Sequence, residues 1–342
     1  MLMRLRLNEL AHDLTSIRRD LFLLLGTIRA ERPIDARSMW LTWRDEYPVD
    51  QMDIHAMKLI PRALDRVREI RIEEPEMPRF EGIERYFWAW TSANADGAEK
   101  ASRLLATHGI HPIAVKGLAM RAYALVTPRL RPMVDADLVV RAGTTAIHVL
   151  KAAGFEQKAV TGHATILTKD RCEIDLHHQS PVALWDPWFS VFDYVAQETS
   201  LPYCVINKTG CFITTILHGL TQGGGATWVL DADDLIRSGE IDWSHVVKYA
   251  IDRALVLVFG HALCQLRGVP QNVRSELARA PASVVELIEL RNMTTPGDGH
   301  GGVTRLVRDL RAKSPTVDRQ GLREIEDRIS TPEWLMEKLG ES

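Results

Sequence analysis

Cysteine is scarce in this chain, and its spacing excludes the common zinc motifs. The sequence has four cysteines, at 172, 204, 211 and 264, and none of them forms a Cys-x-x-Cys pair. Zinc ribbons and thioredoxin-type motifs need such a pair, and small disulfide scaffolds contain a much higher fraction of cysteine. We therefore expect reduced, buried thiols, and no zinc or disulfide chemistry.

Long apolar runs are also missing. The most apolar stretch near the start covers only residues 21–25, and charged side chains flank it on both sides. A membrane-spanning helix needs about 20 apolar residues. Glu9 and Asp13 precede the run, which is not the pattern of a signal peptide. The sequence therefore predicts a buried helix in a cytoplasmic protein that has no membrane partner.

A strong charge of one sign is the third absence. The formal net charge is −3 over 342 residues, so no overall basic field indicates a nucleic-acid partner. A local basic patch remains near Arg129 and Arg131. The composition, with 46% hydrophobic and 25% charged residues, is that of an ordinary folded protein. The length suggests two or three packed units.

Hydrophobic spacing divides the chain into three regions. Residues 1–85 have helical spacing interrupted by prolines, and residues 206–342 are again helical. Between them, residues 86–205 mix strands with helices. We therefore predict an α+β fold, in which a core with a small mixed β-sheet is flanked by N-terminal and C-terminal helical regions.

Apolar and alternating runs locate the strands of this core. They predict strands over residues 110–115, 135–141, 163–168 and 172–178, of which the last two pair as a hairpin. In the C-terminal region, residues 243–266 are predicted to form one long helix.

Two aspartates share one face of a predicted strand. Asp135 and Asp137 are two residues apart in an alternating run, so their side chains project to the same side. Like charges in this arrangement destabilise a strand unless a cation lies between them. Mg²⁺ is usually held by one or two carboxylates together with substrate phosphates. Taken alone, however, the pair also fits solvated aspartates on an edge strand.

A second alternating run offers a third carboxylate. Glu173, Asp175 and His177 lie on one face of the predicted strand over 172–178, and Asp175 can stand beside the first two aspartates. His177 shares the face of Asp175, where it would contact a substrate or orient the carboxylate. His178 points the other way and is expected to pack in the core.

Basic residues and a glycine surround the acidic strand. Lys116 and Gly117 end one strand and open a helix, where backbone N–H groups and the helix dipole favour a phosphate. Arg129 and Arg131 lead directly into the acidic strand and can meet phosphate oxygens. These neighbours favour a metal and phosphate site over solvated aspartates.

A second Asp-x-Asp pair tests the specificity of the first. Asp231 and Asp233 precede the run 235–239, which has the character of a short helix and does not alternate. We interpret Asp231 as the N-cap of that helix, with acidic residues in its first turn and no metal.

Together these elements resemble a known superfamily. The order of these elements resembles that of the DNA-polymerase-β-like nucleotidyltransferases. It consists of a strand followed by Lys-Gly and a helix, then the segment RPMVDADLVV, a further helix and a hairpin ending in EIDLH. Within them, the chain is most similar to the bacterial branch described as uncharacterised nucleotidyltransferases. The resemblance covers about residues 80–270 and is strongest at 113–141 and 171–178. It implies that residues 86–205 form a nucleotidyltransferase core.

The resemblance also implies roles for the acidic residues. In this superfamily two carboxylates on one strand bind two metal ions, Mg²⁺ or Mn²⁺, and that role falls on Asp135 and Asp137. The third carboxylate, here Asp175, completes the metal site and helps to deprotonate the acceptor. The superfamily's phosphate-binding turn is usually Gly-Ser, whereas this chain has Lys116-Gly117, as its branch commonly does.

The implied activity is metal-dependent transfer of a nucleoside monophosphate from an NTP to an acceptor hydroxyl or phosphate, with release of pyrophosphate. The acceptor is a small molecule, a protein or an RNA, and the sequence specifies neither the acceptor, the base nor the oligomeric state. The alternative is a nucleotide-binding or partner-binding protein on a catalytically degenerate nucleotidyltransferase fold. The three carboxylates argue against it, because a purely binding site has no need to cluster them.

Overall fold

Within the described residues, four α-helices precede the sheet, and a second group of helices follows it. The computed structural model describes residues 17–182, 186–187, 189–195, 200–221, 225–283, 286–287, 290, 316–317, 320 and 322–324. The N-terminal helices are α1 (Arg19–Arg29), α2 (Pro33–Glu46), α3 (Ile54–Glu69) and α4 (Met77–Ala106).

Local signals explain where these helices begin. Pro33 occupies the first turn of α2, where its missing N–H is tolerated. The carboxylate of Asp53 caps α3 by accepting a hydrogen bond from the backbone N–H of Ala56, at 3.0 Å. Leu21, Leu24 and other apolar side chains at helical spacing are buried against the neighbouring helices.

A mixed sheet forms the centre of the fold, as the sequence predicted, and it has six strands, of which four were located from the sequence. Its strands are β1 (Ile113–Ala114), β2 (Ala136–Val139), β3 (Glu156–Val160), β4 (Ala164–Lys169), β5 (Cys172–His177) and β6 (Cys204–Val205). The strand order is β3-β4-β5-β2-β1-β6. The pairs β2–β5 and β1–β6 are parallel, and the other pairs are antiparallel. Two helices, α5 (Lys116–Ala122) and α6 (Gly143–Ala152), connect strands within this unit.

The predicted hairpin over 163–178 is confirmed. β4 and β5 are joined by a two-residue turn, Asp170 and Arg171, whose φ angles are 49° and 68°. Two consecutive residues with positive φ are the mark of a type I′ turn, which matches the twist of the strands on either side. The turn therefore fixes the register in which β5 presents its side chains.

Strand β3 was not predicted from the sequence. All five of its residues are exposed, and the strand lies at the edge of the sheet beside β4. Strand prediction relies on an apolar face, and a fully exposed edge strand has none. The sheet therefore has one strand more on this side than the sequence indicated.

The helices after the sheet are α7 (Lys208–Thr221), α8 (Thr227–Ser238), α9 (Trp243–Asp252), α10 (Val256–Gln265) and α11 (Gln271–Arg279). The prediction of one helix over 243–266 is wrong, because Ala254 takes a left-handed conformation, with φ 50°, and separates α9 from α10. The preceding Arg253 is buried in an ion pair with Asp186, at 2.5 Å. The spacing of apolar residues along a helix does not reveal a contact with a residue so far away in the sequence.

The division of the chain at residues 85 and 205 stays a prediction. Helix α4 runs through the first of these positions, and parts of both flanking regions, including 1–16 and 325–342, lie outside the described residues. Among the helices that the structure describes, none has the length and apolar character needed to cross a membrane.

Candidate active site

The parallel pairing of β2 with β5 brings the acidic residues together. The register places Asp137 directly beside Asp175, and Asp135 lies one residue before the start of β2. Asp137, Asp175 and His177 each offer a ligand atom, and these atoms all lie within 4.8 Å of one another. The structure thus brings together residues of two strands that the sequence placed only on separate alternating runs.

Asn94 of α4 holds both strands in this position. Its buried amide donates a hydrogen bond to the carbonyl of Met133, at 3.0 Å, and accepts one from the backbone N–H of Glu173, at 2.9 Å. One side chain therefore fixes the segment before Asp135 and the segment before Asp175. Nothing in the sequence indicated this role, since Asn94 lies within a long helix that precedes the sheet.

Asp137 is the most enclosed of the three carboxylates, with 3% of its side chain exposed. Its Oδ1 accepts hydrogen bonds from Lys116 Nζ, at 2.7 Å, and from His177 Nε2, at 2.9 Å. Burial alone would raise the pKa of Asp137, but Lys116 and His177 outweigh it and hold this pKa well below its usual range. Asp137 is therefore an anion whose charge is matched by Lys116.

The pKa values of Asp135 and Asp175 are shifted in the opposite direction from that of Asp137. Burial, followed by the charge of Asp137, raises the pKa of Asp135. Burial and then the charges of Asp137 and Asp135 raise the pKa of Asp175 to about 7. Asp175 Oδ1 is buried and accepts no hydrogen bond from the residues that the structure describes. The carboxylates of Asp137 and Asp175, with the orphaned buried oxygen, are donors that suit a hard divalent cation, whereas Asp135 lies outside the group of ligand atoms within 4.8 Å.

The raised pKa of Asp175 predicts a pH dependence of stability. The pKa of Asp175 is 3.8 in the unfolded chain and about 7 in the folded chain. At pH values between these two, the folded chain holds a proton that the unfolded chain releases. The contribution of Asp175 to the free energy of unfolding of metal-free protein therefore falls as pH rises through this window. Because the side chain is partly exposed, we expect a slope below the limit of about 1.4 kcal/mol per pH unit.

Substitution of Asp175 by asparagine isolates this contribution. Denaturant unfolding in EDTA should show that Asp175→Asn stabilises the protein by an amount that grows from pH 4 to pH 7 and then levels off. A difference that stays constant with pH would contradict the placement of Asp175 beside two other carboxylates.

Lys116 and Gly117 lie directly against the acidic residues. Lys116 opens α5 with φ 49°, a left-handed conformation that is uncommon for a residue with a side chain and occurs often at functional sites. A Cβ added to Gly117 would lie 2.4 Å from Arg131 Nη1 and 3.0 Å from Met133 Cγ. Glycine is therefore needed here so that the segment leading into β2 can pack on α5.

The two predicted arginines have different surroundings. Arg131 forms a bidentate ion pair with Asp231, at 2.9 and 2.7 Å, and lines the cleft that contains Asp135 and Lys116. Arg129 pairs with Glu84 of α4, at 2.8 and 2.9 Å, and does not line that cleft. The structure brings Arg131 to the acidic residues, but it does not bring Arg129 there.

The interpretation of Asp231 as an N-cap is wrong. Helix α8 begins at Thr227, so Asp231 lies inside the helix, buried against Arg131. Asp233 is also buried and pairs with Arg29 of α1, at 2.9 Å. Both carboxylates of this second pair are engaged by arginines from distant parts of the chain.

The cleft has two further walls that the sequence did not indicate. Helix α3 contributes Lys58 and Arg62, which are four residues apart on one helical face. Helix α7 contributes Thr214, Thr215 and His218. The basic residues of α3 lie beside an apolar stripe that is typical of any amphipathic helix, so only the folded chain shows that they face the acidic strand.

Comparison with known proteins gives one match. The model of a family described as uncharacterised nucleotidyltransferase matches residues 54–268. The matched segment begins at the first residue of α3 and extends beyond the end of α10, so it includes the whole sheet and every wall of the cleft. It reaches further towards the N-terminus than the resemblance read from the sequence, which began near residue 80. No curated protein and no solved structure matches the chain.

Proposed function

The chain belongs to the uncharacterised nucleotidyltransferase family, and we propose that it transfers a nucleoside monophosphate from an NTP to an acceptor, using divalent metal. Membership of the family supports a nucleotidyltransferase enzyme. The observation that carries the finer proposal is the register of β2 with β5, which places Asp137 beside Asp175 with one oxygen of Asp175 orphaned.

Asp135, Asp137 and Asp175 are the residues that would hold the metal, Mg²⁺ or Mn²⁺. Such ions stabilise the attacking and leaving oxygens of an in-line displacement at phosphorus. His177 is a positioning residue in this scheme, because its Nε2 hydrogen bond fixes the orientation of the Asp137 carboxylate. In this role His177 does not need to contact the substrate.

Lys116 and Arg131 provide positive charge for the phosphates. Lys116 neutralises the charge of Asp137 in this structure. Burial alone would lower the pKa of Lys116, but the charges of Asp137 and Asp135 outweigh burial, raise this pKa and keep Lys116 protonated. With nucleotide in the cleft, the same ammonium group can offset charge on a phosphate oxygen. Arg131 lines the cleft while it stays paired with Asp231, so its contribution is partial.

The proposed reaction is a displacement at the α-phosphorus. An acceptor oxygen forms a bond to this phosphorus, and the bond between it and the oxygen that bridges to the β-phosphate breaks. Pyrophosphate leaves with that bonding electron pair. Asp175, which is ionised when it binds metal, is the candidate to accept the acceptor's proton, as the superfamily resemblance implies.

Labelled nucleotides test the proposal. The protein is incubated with Mg²⁺ or Mn²⁺, cell extract and each NTP in turn, labelled at either the α- or the γ-phosphate. We expect the α label to move to an acceptor, the γ label to leave as pyrophosphate, and EDTA to stop both. Transfer of the γ label beyond the level that extract alone gives would contradict the proposed bond cleavage. Metal-dependent NTP binding without movement of either label would favour the alternative of a binding protein.

A further inference from the structure

Among the described residues, four lysine and arginine side chains line the cleft, and three of them are already paired. Lys116 lies 2.7 Å from Asp137, Arg131 lies 2.7 Å from Asp231, and Arg62 lies 2.6 Å from Asp234. Lys58 differs from them. Within the part of the chain that the structure describes, it makes no ion pair and no hydrogen bond through its ammonium group.

Lys58 is held at the cleft by the packing of α3. Neighbouring residues Leu59, Ile60 and Ala63 are fully buried in the core, so the face that carries Lys58 cannot rotate away from the cleft. The cap at Asp53 fixes the start of the helix one turn earlier. The position of Lys58 is therefore set by rigid structure before any ligand binds.

Burial at this position is unfavourable for a lysine without a partner. Burial is the main reason that the pKa of Lys58 is lowered; the charge of Asp135 raises this pKa, and the charges of Arg131 and Lys116 lower it. Lys58 makes no ion pair with any described residue, so its charge is only partly balanced in the free protein. This charge becomes favourable once an anion with several charges enters the same cleft.

We infer that Lys58 binds the β- and γ-phosphates of the nucleotide, so that the N-terminal helical region supplies part of the triphosphate site. This inference rests on the proposed nucleotide site. Asp135 and Asp137, two of the proposed metal-binding carboxylates, line this cleft from the side of β2, and Lys58 enters the same cleft from α3. The pyrophosphate portion, which carries most of the negative charge of an NTP, is the part of the substrate that such a cation recognises.

Binding of inorganic tripolyphosphate in the presence of Mg²⁺ tests this inference without any need for turnover. Isothermal titration should show that Lys58→Gln weakens tripolyphosphate binding by about tenfold to a hundredfold, the effect of losing one charge-assisted contact. Lys58→Arg should retain most of the affinity. Lys100→Gln is the matched control, because Lys100 is an exposed lysine that pairs with Asp96 on the outer face of α4.

The outcomes separate this inference from the proposed function. If a folded Lys58→Gln variant binds tripolyphosphate with wild-type affinity, the inference is overturned. If that variant also binds Mg²⁺ more tightly than the wild type, the result shows that Lys58 only neutralises Asp135. Weakened tripolyphosphate binding in a protein that transfers no label would support the phosphate site while the transferase proposal fails. If the wild type transfers label, but the Lys58→Gln variant binds tripolyphosphate as tightly as the wild type, the inference about Lys58 fails and the proposed function stands.

Discussion

Substitution of Asp137 by asparagine is expected to reduce metal-dependent NTP turnover by at least about a thousandfold. Asp137 lies directly beside Asp175 in the sheet, and its Oδ1 already accepts hydrogen bonds from both Lys116 and His177. Asparagine preserves the size of the side chain but removes the charge that a metal ion needs. It also leaves the ammonium of Lys116 without its partner.

The labelled-nucleotide assay and a melting curve together measure this effect. The control is Asp170→Asn, because Asp170 is exposed in the hairpin turn, where φ is 49°, and asparagine tolerates this conformation. We expect the control to turn over NTP like the wild type. A folded Asp137→Asn variant with wild-type turnover would show that the metal site has been assigned to the wrong residues.

Substitution of Arg131 by methionine is expected to destabilise the fold by about 3–5 kcal/mol. Arg131 and Asp231 are 100 residues apart in sequence and form a largely buried pair, with 19% and 8% of their side chains exposed. Methionine would leave a buried carboxylate whose next cation, Arg62, lies 3.9 Å away. The loss should appear in the free energy of unfolding measured with urea.

Two further variants show whether the pair is the cause. Arg131→Met combined with Asp231→Leu should recover much of the lost stability, because no unpaired charge then remains buried. Arg129→Met is the control, since Arg129 is 54% exposed and its partner Glu84 also pairs with Arg68. That change should cost less than about 1 kcal/mol. Equal losses for Arg129→Met and Arg131→Met would contradict the interpretation.

Local patterns in the sequence were sufficient to predict the central part of the fold. Alternation along 135–141 and 172–178 reflects strands with one buried face, and the tight turn at Asp170 and Arg171 requires no distant partner. The α+β class and the family were predicted for the same reason. Strand β3 could not be predicted, because an exposed edge strand lacks a buried face.

Features that depend on distant contacts could not be predicted from the sequence. The break at Ala254 lies next to Arg253, which is buried against a residue 67 positions earlier. The pairing of Asp231 with Arg131 was mistaken for a helix cap, because an aspartate before an apolar run has the same local appearance in both cases. Lys58 reaches the acidic strand only through the packing of α3 on the rest of the chain.

Metal binding itself tests the assignment of the three carboxylates most directly. Equilibrium dialysis against Mn²⁺, with an NTP analogue that cannot be cleaved between its α- and β-phosphates, counts the ions that the protein retains. The wild type should retain about two Mn²⁺ per chain. A folded variant in which Asp135, Asp137 and Asp175 are all replaced by asparagine should retain almost none, and retention of Mn²⁺ at the wild-type level would contradict the assignment.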